Sequence, residues 1–418
     1  MNWFLFTLMA VLIIAGLWFI KCAADYAENA DLLRKQQNWL MIGSVIYLTL
    51  AVTDYEWWLK LAPLFFIGAV AVLAGVLMFG MTLEGATRWL KIGGYVVQPA
   101  EPSKIAFILG MSWLVLVLGE YKRKLWFFLL TGGVALIPAA LILKQPDLGT
   151  ALVFFPMTLA IMWAAGVPKR YLALLLVAVA AGYGFARFVV YQAWWDGTVS
   201  DLLPAGQRTV HILVNQTDRL PPEQQAKLIP PGAGKKQASL SADGAAQKKK
   251  GVLIKPYQLD RIKTFFNPDL DPLGAGWNIR QSLNTIGSGG FKGTGVVSEY
   301  GALPKKIAYN DFIFAVIGEI TGFVGGSLFI ISQAALIIGV LYVAARAKDL
   351  SGTLLCLGFA ALLFAHFFVN IGMTIKVVPI TGIPLPFTSH GGSFLLTCLA
   401  GMGLVQSVWI HRKNFYNH

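Results

Sequence analysis

Two aspartates, Asp269 and Asp271, sit just ahead of a glycine run in NPDLDPLGAGWNIRQSLNTIGSGGFKGTG, residues 267–295. Carboxylates next to a flexible backbone mark a place where chemistry happens, and the first chemistry to test is nucleotide binding. GSGGFKGTG contains no GxxxxGK[ST], and it misses GxGxxG because the sixth residue from Gly287 is Lys292. The glycines therefore either let the backbone approach a ligand phosphate or make turns. A second set of polar residues stands at the edges of apolar runs. Arg88, Gln98, Glu101 and Lys104 lie in ATRWLKIGGYVVQPAEPSKIAFIL, with Glu101 and Lys104 three apart and so on one helical face. Asp147 in KQPDLGTALVF is placed to N-cap a helix, and NDFIFAVIGE adds Asp311 and Glu319. Ionisable groups at such positions are costly in hydrocarbon and point into a bundle interior, as functional or pairing groups.

The elements that must position these residues are membrane helices. The 418 residues are 56% hydrophobic and 13% charged, against about 25% charged in a soluble domain. The chain reads as an all-α polytopic membrane protein, since open sheets cannot satisfy their backbone in lipid and the runs lack a barrel's alternation. Apolar runs at 3–22, 38–54, 61–83, 105–119, 125–143, 149–166, 171–193, 312–345, 353–377 and 393–410 predict about ten transmembrane helices. The first run lacks a basic flank, which favours a span over a signal peptide. GEITGFVGG interrupts the run 312–345, and its first part is expected to lean over a cavity.

The short basic loops at 121–124, 168–170, 346–348 and 411–413 fall on one side if there are ten spans. By the positive-inside rule that side is the cytoplasm, with both termini on it. The predicted organisation is helices 1–7 in residues 1–193, a large extracytoplasmic loop at 194–311 between helices 7 and 8, and helices 8–10 in 312–418. Within the loop, 196–252 is rich in Gly, Ala, Ser, Lys and Gln and reads as a mobile insertion, whereas 255–311 regains aromatics and patterned apolar residues and is expected to be ordered.

The formal charge of +13 is carried by span-flanking loops and the insertion, not by a basic stripe with interleaved aromatics, so nucleic acid is not an expected partner. Cys22, Cys356 and Cys398 lie in or beside separate apolar runs and offer no disulfide framework, and the five histidines show no zinc spacing.

TRWLKIGGYVVQPAEPSK, KQPDLGTALV, YQLDRIKTFFNPDLDPLGAGWNIRQSLNTIGSGG, LPKKIAYNDFIFAVIGE and GIPLPFTSHGGSFLLT occur in the order seen in the SEDS (shape, elongation, division, sporulation) family. The chain resembles its RodA/FtsW type over nearly its whole length except 196–252, and GIPLPF is similar to the RodA branch. The resemblance implies a ten-helix peptidoglycan glycosyltransferase polymerising lipid II at the outer face of the bacterial cytoplasmic membrane, for wall elongation and cell shape. It implies Asp271 as the catalytic acid of the DP pair, with Asp269 the turn former of NPD. It carries Gln98, Glu101 and Lys104 onto the QPxExxK pattern, Gln145 and Asp147 onto QPDLGT, Asp311 onto DFIF, and Arg261 onto the arginine ahead of the loop's phenylalanine. The partner it implies is a class B penicillin-binding protein, because the chain carries no transpeptidase domain. The sequence departs from the family pattern at Lys305, Asn310, Ile320 and His390, where members carry glutamate, threonine, a second acid and tyrosine.

The expected reaction needs no nucleotide, since the donor sugar is preactivated by its bond to undecaprenyl pyrophosphate. A carboxylate, Asp271, accepts the proton of the acceptor's 4-hydroxyl, and cations meet the charge of the departing diphosphate. Candidates are Lys104, Arg88 and Arg261, with a divalent cation, Mg2+ or Mn2+, sharing the task; Glu101 either orients Lys104 or helps hold that metal. A single displacement would invert the anomeric centre. The charged residues alone also suit a lipid II flippase or transporter, although no inverted repeat is evident, and the altered motifs suit a nonenzymatic scaffold for a wall synthase.

Overall fold

The computed structural model describes residues 1–29, 31–83, 86–174, 176–177, 265, 275–297, 303 and 305–412. Contacts divide the chain into a unit of Met1–Leu175 with Asp260–His418 and a second unit of Leu176–Leu259. All the elements below belong to the first. The insertion 196–252 and most of the seventh predicted span lie outside the described residues.

The first unit is a bundle of helices. In chain order they are α1 (Trp3–Tyr26), α2 (Asp31–Val52), α3 (Tyr55–Lys60), α4 (Ala62–Phe79), α5 (Ala100–Leu118), α6 (Leu125–Lys144), α7 (Leu148–Ala164), α8 (Ala275–Ser288), α9 (Lys305–Ala308), α10 (Ile313–Ala345), α11 (Leu350–Thr374) and α12 (Gly392–Ile410). Among the described residues, α1, α4, α5 with the turn that follows it, α6, α10, α11 and α12 are long and apolar enough to cross a membrane. The chain is an integral membrane protein. The apolar α7 has 17 residues, and α2 begins seven residues before its apolar run because Asp31, Arg34 and Lys35 occupy its first turns.

Burial sorts the helices. Of the most apolar stretch, 78% is buried in α12 and 67% in α11, against 17% in α4, so α11 and α12 form the centre and α4 faces lipid. Glycines allow close approach where lipid supplies no hydrophobic drive. A Cβ on Gly403 of α12 would lie 2.8 Å from the Tyr47 carbonyl oxygen of α2, and one on Gly110 of α5 would lie 2.9 Å from Phe66 of α4.

The two ends of the bundle differ. At one, Asn2 and Gln406 exchange two hydrogen bonds (2.9 and 3.1 Å), Ser407 Oγ donates to the Thr53 carbonyl, and Lys348 Nζ lies 2.6 Å from Glu56. The N-terminus and the loops after α2, α10 and α12 therefore share that end. The candidate site residues that are among the described residues collect at the other.

One feature departs from a purely helical reading. Residues between α4 and α5 form a three-stranded antiparallel sheet, β1 (Met81–Leu83), β2 (Ala86–Ile92) and β3 (Tyr95–Val97). Gly93 and Gly94 supply the two positive φ angles (56° and 87°) that a two-residue hairpin turn with strand-matched twist requires.

The interruption in the long apolar run is real. Gly322 has φ 66° and ψ −165° inside α10, breaking a helix otherwise about 50 Å long. The glycine run closes the break. Thr294 N donates to the Glu319 carbonyl (2.9 Å) and Gly295 N to that of Ile320 (3.0 Å), while Phe323 N and Val324 N donate to the carbonyls of Gly290 (2.9 Å) and Phe291 (3.2 Å). Orphaned helix-end groups on both sides of the break thus find partners within the protein, as they must away from water. The glycines serve approach of backbone to backbone. A Cβ on Gly293 would stand 2.6 Å from the carbonyl carbons of Ile320 and Thr321.

Candidate active site

Asp147 is the hub of the first cluster. It caps α7, with Oδ1 accepting from Thr150 N at 3.0 Å, as its place in the sequence predicts. Its Oδ2 accepts from Arg88 Nη1 (3.0 Å) and from Gln98 Nε2 (2.9 Å). The β2 strand delivers Arg88, and the end of the hairpin delivers Gln98, whose backbone N–H donates to Ser393 Oγ of α12 at 2.9 Å. The Asp147 side chain is 3% exposed and that of Arg88 23%, so Arg88 is the member that reaches the surface. Arg88 Nε has no hydrogen-bond partner among the described residues.

A second cluster lies in the core below. Lys104, fully buried, donates from Nζ to Glu101 Oε2 at 2.8 Å and lies 2.9 Å from His366 Nε2. The shared face expected of residues three apart on α5 is what brings Glu101 and Lys104 together. His366 Nδ1 lies 2.9 Å from the Pro384 carbonyl, which can only accept, so Nδ1 carries the proton and Nε2 accepts from the ammonium. The imidazole stacks on Phe394 with ring centroids 4.1 Å apart, and Lys104 Nζ lies 5.4 Å from the same ring.

The segment 378–392, carrying GIPLPFTSHGG, ties these clusters to the remaining motifs. Buried side chains hold its backbone. Asn370 Nδ2 donates to the Ile383 carbonyl (2.7 Å), Gln333 Nε2 to that of Pro386 (2.9 Å), and Leu385 N donates to Ser389 Oγ (2.8 Å). These bonds hold Phe387 at φ 62°, a conformation a bulky residue adopts only when its surroundings impose it. The DFIF stretch docks on the same segment. Ser389 Oγ donates to the Asn310 carbonyl (2.8 Å), His390 N to that of Tyr309 (2.9 Å), and Asn370 Nδ2 also donates to that of Asp311 (2.9 Å). His390 stands edge-on to Tyr309, and burial, followed by the nearby charge of Lys35, lowers its pKa to about 4.

Four sequence motifs spread over about 300 residues thus meet at one end of the bundle: Arg88, Gln98, Glu101 and Lys104; Asp147; Asp311; and 382–393. Gln145, fully buried, donates instead to the Leu73 carbonyl (2.9 Å) and braces α4. Asp269, Asp271 and Arg261 lie outside the described residues. The chain after them is anchored by α8, which buries Ile279 and Thr285 and donates from Ser282 Oγ to the Thr374 carbonyl at 2.9 Å. His366, Asn370, Gln333 and Ser393 were not singled out from the sequence. For His366, Asn370 and Gln333 the signal is present as polar residues within the apolar runs LLFAHFFVN and FIISQAAL.

In charge, the arrangement is balanced, with Arg88 set against Asp147 and Lys104 against Glu101. Among the described residues no cluster of three or more His, Cys, Asp or Glu side chains could hold a metal. The group pressed on Glu101 is an ammonium rather than another carboxylate, so the described residues do not by themselves fit a divalent cation.

The sequence profile of the family described as Cell cycle protein, FtsW/RodA/SpoVE, matches residues 1–209 and 241–414. Peptidoglycan glycosyltransferase RodA of Treponema pallidum is 31% identical, covering 97% of each chain, and peptidoglycan glycosyltransferase MrdB of Escherichia coli K12 is 29% identical over 92% of this chain and 88% of that one. Among solved structures, a chain from work on the coordination of polymerization and crosslinking by a peptidoglycan synthase complex superposes with TM-score 0.72 at 25% identity, covering 100% of this chain and 99% of that one. The rod shape determining protein RodA of Thermus thermophilus superposes with TM-score 0.63 at 22% identity, covering 99% and 98%, which supports the fold. With its profile matched along both halves and its motifs assembled at one end of the bundle, the chain belongs to the FtsW/RodA/SpoVE family.

Proposed function

We propose that this chain is a peptidoglycan glycosyltransferase that joins lipid II units into glycan strands, releasing undecaprenyl pyrophosphate. The observation that carries the reading is the convergence of the QPxExxK, QPDLGT, DFIF and GIPLPF motifs on one end of the bundle, in a chain alignable end to end with glycosyltransferases of the family. In the reaction, Asp271 takes the proton of the acceptor's 4-hydroxyl as that oxygen attacks the donor's anomeric carbon. The bond from that carbon to the diphosphate breaks, its electron pair leaves with the lipid diphosphate, and the anomeric centre inverts.

Arg88 is the residue suited to the leaving group, because it is partly exposed and is aimed by Asp147. The enclosed Lys104 acts as a fixed charge that stays with Glu101 and sets the start of α5. Arg261, Gln98 and Asp311 complete the proposed substrate-binding set. Because Arg88 and Lys104 are each matched by a carboxylate, further positive charge is needed for a diphosphate. Mg2+ or Mn2+ would supply it when bound.

The membrane is proposed to be the bacterial cytoplasmic membrane. The basic loops and termini face the cytoplasm, and the site faces outward, where the preactivated lipid substitutes for a nucleotide. A class B penicillin-binding protein is the proposed partner for crosslinking, consistent with the synthase complex that one structural relative comes from. The test is to incubate the purified chain with lipid II and resolve the products on a gel. Glycan ladders are expected; transbilayer movement of labelled lipid II without ladders would favour a transporter.

A further inference from the structure

His366 is fully buried, bridges two motifs and has no role in the chemistry above. Its two ring nitrogens are both used, Nδ1 toward the Pro384 carbonyl at 2.9 Å and Nε2 toward Lys104 Nζ at 2.9 Å, and one face is stacked on Phe394. Three constraints on a single ring leave it no freedom to turn. The carbonyl fixes the tautomer, and the tautomer makes Nε2 an acceptor. Lys104 in turn has no solvent to donate to. Its acceptors are Glu101 and His366, with the Phe394 ring alongside. A flexible four-carbon side chain that ends in a point charge is thereby held at one place between α5, α11 and the segment after α11.

We infer that His366 is a positioning residue for glycosyl transfer: it accepts from Lys104 through Nε2 and locks the Glu101–Lys104 pair to the GIPLPF segment. The inference rests on the proposed function for its kinetic consequence and on geometry for the contact itself. With no exposed surface on Lys104 or His366, neither meets lipid II in the ground state. Loss of the lock then lowers kcat and leaves KM for lipid II nearly unchanged.

Two variants separate the lock from mere packing, since both remove the ring stacked on Phe394. His366→Asn keeps a donor near Nδ1 for the Pro384 carbonyl and removes the acceptor at Nε2. His366→Gln places an amide oxygen near Nε2. In lipid II polymerisation by the full chain, His366→Asn is expected to lower kcat about tenfold to a hundredfold, the range for losing a hydrogen bond to a charged group. His366→Gln is expected to stay within a few-fold of the parent. Equal rates for the two variants, or a loss confined to KM, would overturn the inference.

A thermal-unfolding cycle with Lys104→Met decides the contact independently of activity. His366→Asn should cost less than half as much in melting temperature in the Lys104→Met background as in the parent, and additive costs would refute the bond. If the parent makes no glycan, the functional reading fails, and the thermal cycle still decides whether His366 holds Lys104.

Discussion

Gln98 Nε2 and Arg88 Nη1 converge on the same oxygen of Asp147, at 2.9 and 3.0 Å, while the other oxygen caps α7. One carboxylate thus fastens the hairpin to the helix bundle. Asp147→Asn keeps an N-cap acceptor but gives up the charge that holds Arg88. Its expected signature is a loss of polymerase activity exceeding its change in melting temperature. Asp147→Ala removes the cap as well and leaves Arg88 without its counter-charge, for a further cost of about 1–2 kcal/mol in unfolding free energy.

The glycine run makes a sharper stability prediction. Gly293 sits at φ 87° with Ile320 and Thr321 where a Cβ would go, whereas Gly290 sits at φ 54° with nothing within 4 Å. Gly290→Ala should cost only the left-handed backbone penalty, about 1–2 kcal/mol. Gly293→Ala must also push the loop away from the α10 break, losing the bonds from Thr294 and Gly295 to Glu319 and Ile320. Thermal melts in detergent should rank Gly293→Ala well below Gly290→Ala.

His390 provides a pH test. Its folded pKa, near 4, lies below the ordinary 6.5, so between those values the unfolded chain binds the proton and the folded chain does not. Stability is therefore full above about pH 6.5 and declines as pH falls toward 4. His390→Tyr removes that titration. Melting temperature measured from pH 7 to pH 4.5 should fall less in the variant than in the parent, once the shared acid loss of other groups is subtracted.

How much of this was legible beforehand depends on the kind of signal. Among the described residues, span positions could be read because hydrophobic runs of about 20 residues have few other meanings. The Glu101–Lys104 pair followed from helical spacing, and the Asp147 cap from its place before an apolar run. The hairpin at 81–97 is hidden because its residues lie at the edges of two apolar runs and lack a strand's clear alternation, although the adjacent Gly93 and Gly94 carry the turn signal. The purpose of Gly293 was also out of reach, since it depends on the break at Gly322 in another element. His366 was missed because a neutral imidazole among leucines and phenylalanines signals less than a carboxylate does, and its partners come from α5 and the segment after α11.

Orientation can be checked by chemistry on intact cells. Gly94→Cys, in the hairpin turn, should react with a membrane-impermeant maleimide applied from outside. Lys122→Cys, in the basic loop before α6, should react only after permeabilisation. The reverse pattern would place the site in the cytosol.

Asp271 is the proposed base, and the most direct measurement is lipid II polymerisation by the purified parent, Asp271→Ala and Asp269→Ala at matched folding. The expected result is glycan from the parent, none from Asp271→Ala, and retained synthesis by Asp269→Ala. Glycan formed by Asp271→Ala at the parental rate would contradict it.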